Sequence, residues 1–416
     1  MKNKLVAVLL PFLLLCAAAL PAAGAVAPES IGGPGFSKVD AALDQAVQER
    51  RLVGAVLMAA RDGKTVYARA VGFADRENAT PMRLDTVFRL ASTSKAFTAM
   101  AAAALISRGK LALDDPVSKV LPYFTPPLPD GGKAEIRIVH LLSHTAGLDY
   151  GFFQGADGPY RRAGVSDGLD LTPLTLEENL KRLASVPLLF TPGAQWRYSL
   201  ATDVLGGVVA AVHGASLDVA VRELVCEPLG LESTAFFVSR DAVMPAKPYY
   251  NALPEPLPMR PLDQEVRMGV FSLHFSPDRA FHPEAFPSGG AGMLSTAADV
   301  LRLLEAIRND GAPVAAPDVL REMKKPFTAP NAIAPGSAHA LGWSVITDRA
   351  RLFTPQANGT LGWGGVYGSM WFVDPQNKLS VVLLTNTTFE GTIGKAVLDV
   401  RNALYDVPVK PCRYPR

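Results

Sequence analysis

Two strand-forming runs near the start of this chain find no further strand-like sequence until its last quarter. Val53–Arg61 is an apolar run, Asp62-Gly63 is a turn dipeptide, and Lys64–Gly72 alternates, so the stretch reads as a β-hairpin. A hairpin on its own is marginal in water and needs more strands beside it. The next β-rich runs are Leu341–Thr347, Ser369–Val373 and Leu379–Asn386. The early hairpin is therefore expected to pair with the late strands. The fold class is α+β: an antiparallel sheet flanked by helices, assembled from residues 26–120 and 290–416 and interrupted by a mainly helical insertion over 121–289.

Helical spacing of apolar residues appears at Val39–Leu52, ahead of the hairpin. Within the insertion, helices are expected at Ile136–Leu142, ending near Gly147, and at Thr175–Ser185, Thr202–Val212 and Leu217–Val225. Gly391–Tyr405 reads as a closing helix. Met244–Pro287 carries nine prolines and reads as irregular chain. It is too apolar for a disordered tail. Its phenylalanines, Phe271, Phe275, Phe281 and Phe286, suggest loop packing on the core, with a lid or acyl-pocket wall as the alternative.

Residues 1–25 have the pattern of an export signal. Lys2 and Lys4 start it, Leu5–Leu15 is apolar, and Ala23-Gly24-Ala25 offers a small-x-small cleavage site. The expectation is cleavage after Ala25 and a periplasmic or secreted protein. Lipidation at Cys16 is disfavoured because Leu15, just before it, is not small. Cleavage removes two lysines and no other charge, so the formal net charge of +2 falls to zero. No basic block remains to serve nucleic acid, and no apolar run after the signal is long enough to span a membrane. Cys226 and Cys412 remain, a pair that an oxidising compartment would permit to bond.

The chemistry centres on Ser92-Thr93-Ser94-Lys95, followed by the helix-forming run Ala96–Ile106. Ser92 is placed where a helix begins, and Lys95 lies one turn in, on the same face. A serine hydroxyl becomes a nucleophile when a neighbouring base takes its proton. A helix start also presents backbone N–H groups where negative charge would develop. Ser94 is the rival nucleophile, but its neighbour three residues on is Phe97. By themselves these residues fit equally a capped helix with a solvated lysine.

Two further motifs follow. Trp196-Arg197-Tyr198-Ser199-Leu200 places a phenol at a turn before a helix. An unperturbed phenol titrates near pH ~10; a neighbouring cation lowers that value, so a Tyr–Lys pair can act as a base. Gly362-Trp363-Gly364-Gly365-Val366 leads into a strand, and its glycines permit close approach of a substrate or another backbone. Taken singly, Tyr198 also fits a packing residue and the glycine run a bulge.

In this order the three motifs resemble the serine β-lactamase and penicillin-binding protein superfamily, in class C-like form. Supporting stretches are Leu141–Leu148, Glu227-Pro228-Leu229-Gly230, Ser288–Asp299 and Leu341-Gly342-Trp343. The likeness runs from about Val39 to Tyr405. Trp363 stands where those enzymes carry the lysine of Lys-Thr-Gly, and Leu200 where they carry asparagine. Both departures remove polar groups that recognise a β-lactam, and the whole is most similar to the family VIII carboxylesterases. The resemblance implies catalytic Ser92, Lys95 and Tyr198. It further implies substrate contacts from Trp363, Gly364, Gly365 and Val366, a short-chain ester substrate, and no cofactor or metal. Other acyl-transfer activities of the superfamily, such as β-lactamase, D,D-peptidase, D-aminopeptidase and amide hydrolase, are the alternatives, with a silent peptidoglycan-binding protein as a non-enzymatic one. The oligomeric state is left open.

Two other motifs are set aside. Gly164-Val165-Ser166-Asp167-Gly168 has the esterase form Gly-x-Ser-x-Gly but lacks the strand before and the helix after that a nucleophile elbow requires; it reads as a surface loop. His140 and His144 are four apart without an intervening glutamate or a third ligand, which argues against zinc.

Overall fold

The computed structural model describes residues 30–269 and 271–406; residues 1–25, which read as an export signal and include Cys16, and Cys412 lie outside them. Nine strands form the main sheet: β1 (Ser30–Ile31), β2 (Gly54–Arg61), β3 (Lys64–Asp75), β4 (Thr80–Pro81), β5 (Ser337–His339), β6 (Ser344–Ile346), β7 (Leu361–Gly365), β8 (Ser369–Asp374) and β9 (Leu379–Thr385). The order is β1-β3-β2-β9-β8-β7-β6-β5, with β4 beside β3, and every pairing is antiparallel. The hairpin of β2 and β3 turns at Asp62 and Gly63, both at positive φ (51° and 83°), as a two-residue hairpin loop requires. Its partner is the late strand β9, in the register Leu57 opposite Leu383 and Ala59 opposite Val381.

Both faces of the central strands are buried, and the alternation sorts them. Ala55, Leu57, Ala59, Val381 and Leu383 face one core with helices α1 (Ser37–Gln48) and α5 (Lys395–Leu404). Val56, Ala60, Val382 and Leu384 face the larger core, with α2 (Ser94–Ser107), α3 (Ala201–His213) and α4 (Ala297–Arg308). Helix α2 is buried from Ser94 to Leu105, which accounts for its alanine-rich sequence: apolar all round, it is enclosed on all sides.

The helix expected at Thr175–Ser185 forms over Leu176–Ala184 with a capping box between Thr175 and Glu178. The closing helix breaks at Gly394 into Glu390–Ile393 and α5. Of the run Leu341–Thr347, only Ser344–Ile346 is strand. The Met244–Pro287 segment is more regular than its prolines suggest: Gln264–Met268 and Phe271–Phe275 form an antiparallel hairpin. Among the described residues, no single helix is long and apolar enough to cross a membrane.

Candidate active site

Ser92 lies not in α2 itself but in a single 3-10 turn, Ala91–Thr93, that leads into it. Two neighbours, Met293 and Ser369, grip this turn. The Leu90 N–H donates to the Met293 carbonyl at 2.9 Å. Ser369 Oγ on β8 donates to the Leu90 carbonyl at 3.2 Å and lies 2.9 Å from Thr93 Oγ1. The Met293 N–H donates to Ser94 Oγ at 3.1 Å. Ala91 is held at φ 45°, a left-handed conformation that costs a non-glycine residue about 1–3 kcal/mol. Such strain persists only where the surroundings enforce it, and here it sits one residue from the reactive hydroxyl.

Lys95 is 3 % exposed. Its Nζ donates to the Gly290 carbonyl at 2.7 Å and to Ser92 Oγ at 3.2 Å. Tyr198 comes from the turn ahead of α3, and its Oη donates to Ser92 Oγ at 2.6 Å. Lys95 Nζ stands 4.9 Å from the centre of the Tyr198 ring, over its face rather than bonded to the phenol oxygen. The three residues expected to act together do converge on one hydroxyl.

Behind them lies a buried polar and aromatic shell. Asp203 is fully enclosed; Ser288 Oγ donates to its Oδ1 at 2.6 Å, while Oδ2 has no hydrogen-bond partner. Burial raises its carboxyl above the usual carboxylate range, against the pull of the Ser288 hydroxyl and of the nearby Lys95. Gly290 has no side chain because a Cβ there would stand 2.4 Å from Asp203 Oδ2. His144 packs edge-on against Tyr198, and His339 against Trp363. Burial lowers both imidazoles, His339 to about 4, so both are neutral near pH 7. His140 instead accepts a hydrogen bond from the Arg137 N–H at the start of its own helix, so the two histidines serve different neighbours. Among the described residues, no group of three His, Cys, Asp or Glu side chains could hold a metal ion.

In front of Ser92 opens a cavity of about 370 Å³. Trp363, Gly364 and Val366 line it, as expected of the third motif. Gly365 does not line it. It packs instead on the nucleophile turn, where a Cβ would meet the Leu90 carbonyl at 2.0 Å. Strand β7 pairs with β6 only at Leu361 and Gly362, so Trp363–Gly365 runs on past β6 and exposes one edge beside Ser92. The Trp363 ring centre lies 5.3 Å from that of Tyr198, in the place where a lysine was missing. Leu200 is fully buried and does not line the cavity.

Sequence reading missed Tyr150, Phe152, Leu273 and Thr392, all of which line the cavity. The aromatic run Tyr150-Gly151-Phe152-Phe153 was a usable signal; Leu273 was concealed in the proline-rich stretch. Ser166 requires a correction. It is not on an exposed loop but 2 % exposed, its Oγ donating to Asp170 Oδ1 at 2.5 Å, and it does not line the cavity. Its neighbour Asp167 does. Among the described residues Cys226 has no disulfide partner, and burial pushes its thiol up to about 12; Cys412, with which it could pair, lies outside those residues.

Comparison with known proteins gives a consistent result. Esterase EstB of Burkholderia gladioli is 48% identical over 377 residues, spanning 89% of this chain and 95% of that protein. The solved structure of EstCE1, described as a hydrolase with promiscuous acyltransferase activity, superposes with a TM-score of 0.86 at 45% identity, covering 89% of this chain and 98% of that one. The family described as Beta-lactamase matches residues 39–402. With that match spanning nearly all the described residues, and with a serine, a lysine and a tyrosine meeting at one hydroxyl, the chain belongs to the beta-lactamase family.

Proposed function

We propose that this protein is a serine ester hydrolase acting on short-chain carboxylic esters. Ser92 Oγ attacks the ester carbonyl. The Tyr198–Lys95 pair accepts the Ser92 proton across the 2.6 Å and 3.2 Å contacts. The N–H groups of Ser92 and Val366 stabilise the tetrahedral oxyanion. Tyr198 then returns the proton to the leaving alcohol, giving an acyl-Ser92 ester. Water, deprotonated by the same pair, releases the acid and restores the serine.

The observation that carries this reading is the tryptophan at the mouth of the nucleophile. Trp363 occupies the position of the cation that would meet a β-lactam carboxylate, and Leu200 offers no amide to hold a β-lactam side chain. The cavity, about 370 Å³, lies at the small end of the roughly 300–1,000 Å³ range of ligand pockets and suits a short acyl chain. The test is a set of p-nitrophenyl esters of increasing acyl length, with nitrocefin and a D-Ala-D-Ala peptide alongside. Short esters should be cleaved orders of magnitude faster than either. Faster turnover of nitrocefin or the peptide would replace this reading with a β-lactamase or a peptidase.

Export belongs to the same proposal. Its support is the basic start, apolar run and Ala23-Gly24-Ala25 of residues 1–25. Expression with the native N-terminus should yield a mature protein beginning at Val26, seen by intact mass.

A further inference from the structure

Asp167 is the one charged side chain among the described residues that line the cavity with Ser92. No arginine or lysine lines it; Lys95 sits behind the serine. The Asp167 carboxyl is fixed in place: Oδ1 accepts the Gly151 N–H at 2.7 Å and Oδ2 the Phe152 N–H at 3.1 Å. Phe152, carried on that turn, lines the cavity beside it. Each carboxylate oxygen can accept more than one hydrogen bond, so the group keeps capacity towards the cavity. Asp167 also lines a second recess of about 130 Å³, which meets Arg161, Asp170 and His274. None of the described Lys, Arg or His side chains forms an ion pair with Asp167 within 4.0 Å; Arg161 turns to His274 and the Ser272 carbonyl. The phenols of Tyr150 and Tyr160 also face its field.

We propose that Asp167 sets the charge preference of the cleft, selecting esters that carry a quaternary or protonated amine over neutral esters of the same shape. This rests on the ester hydrolase reading and names the substrate class of that same site. A carboxylate with no paired cation, in a cleft otherwise lined by apolar and aromatic groups, attracts a cationic substrate and repels a carboxylate-bearing one, which adds a second reason for β-lactams to be poor substrates. Burial pushes the Asp167 carboxyl up to about 7, with Asp170 pushing the same way, against the pull of the Gly151 and Phe152 N–H groups and of the positive charge of Arg161. The preference therefore belongs to the ionised form, is full above that pH and fades below it.

The test uses isosteric ester pairs, so that titration of the catalytic groups cancels in each ratio. One pair places the charge on the alcohol: butanoates of choline and of 3,3-dimethylbutanol. The other places it on the acyl chain: phenyl esters of 4-(trimethylammonio)butanoate and 5,5-dimethylhexanoate. At pH 8 the cationic member of at least one pair should show a kcat/KM roughly tenfold above its neutral twin, the scale of one charge acting across a partly solvated cleft. The ratio should fall towards one at pH 5.5, and in Asp167→Asn at every pH. Asp167→Glu should recover it, which separates charge from an altered Gly151–Phe153 turn. Ratios equal in wild type and Asp167→Asn for both pairs would overturn the proposal. Failure of the wild-type enzyme to cleave even the neutral esters would instead overturn the ester reading, and this proposal with it.

Discussion

Removing the Tyr198 hydroxyl leaves Ser92 Oγ with Lys95 Nζ, at 3.2 Å, as its remaining hydrogen-bond partner. If the phenol moves the proton, Tyr198→Phe should lower kcat for a butanoate ester by about 10²–10⁴-fold, the usual worth of a positioned acid–base group, with a smaller change in KM. Loss of KM alone would reduce Tyr198 to a binding residue. Ser166 gives the opposite expectation. It is enclosed and bonded to Asp170, so Ser166→Ala should keep most of the activity while lowering stability by about 1–3 kcal/mol, read from denaturant unfolding. At this scale the sequence was legible where chemistry needs a fixed spacing, as in Ser92 and Lys95. It was silent where a role depends on which way a loop residue points. Ser166 and Asp167 are adjacent, yet one faces the Asp170 carboxylate and the other the cavity.

The site is made by elements pressed together closely enough to exclude side chains. Strand β7 reaches the nucleophile turn at Gly365, where an added Cβ would lie 2.0 Å from the Leu90 carbonyl. Gly365→Ala must push β7 or the turn aside, and kcat/KM should fall at least tenfold while the far-UV circular dichroism is kept; unchanged activity would mean that the turn tolerates displacement. Thr175→Ala offers a contrast. It removes the cap of Leu176–Ala184, away from the cavity, and should cost about 1 kcal/mol without changing kcat. Element existence could be read from apolar runs and helical spacing, because the central strands bury both faces and the helices bury an apolar stripe or, in α2, their whole surface. The hairpin Gln264–Phe275 escaped although Val266, Leu273 and Phe275 are buried in strand alternation, because the surrounding prolines masked a short local signal. Ser92 was expected where a helix begins; it lies in a 3-10 turn that leads into α2 and is gripped by Ser369 and Met293.

Across the whole molecule, the sheet closes the ends of the described chain on one another, and the pairing of β2 with β9 is the long-range contact that the early hairpin required. The cavity was not legible in the same way, because its walls come from segments far apart in the sequence, from Ser92 to Ile393. The buried imidazoles tie global stability to pH. An unfolded histidine takes a proton near pH ~6.5, whereas His339 in the fold does so only at about 4. The unfolded chain therefore binds the extra proton as pH falls, so this contribution is present above about 6.5 and is lost on the way down to about 4. The thermal midpoint should drop over that window, and His339→Gln should drop less; an equal drop would assign the acid sensitivity to other groups.

The acyl-enzyme itself is the most direct test of the account. A fluorophosphonate probe should label the wild-type protein once, on the peptide that contains Ser92, and hydrolysis of p-nitrophenyl butanoate by Ser92→Ala should fall below about a thousandth of the wild-type rate. A label on Ser166 or elsewhere, or a Ser92→Ala variant that keeps more than that residue of activity, would contradict it.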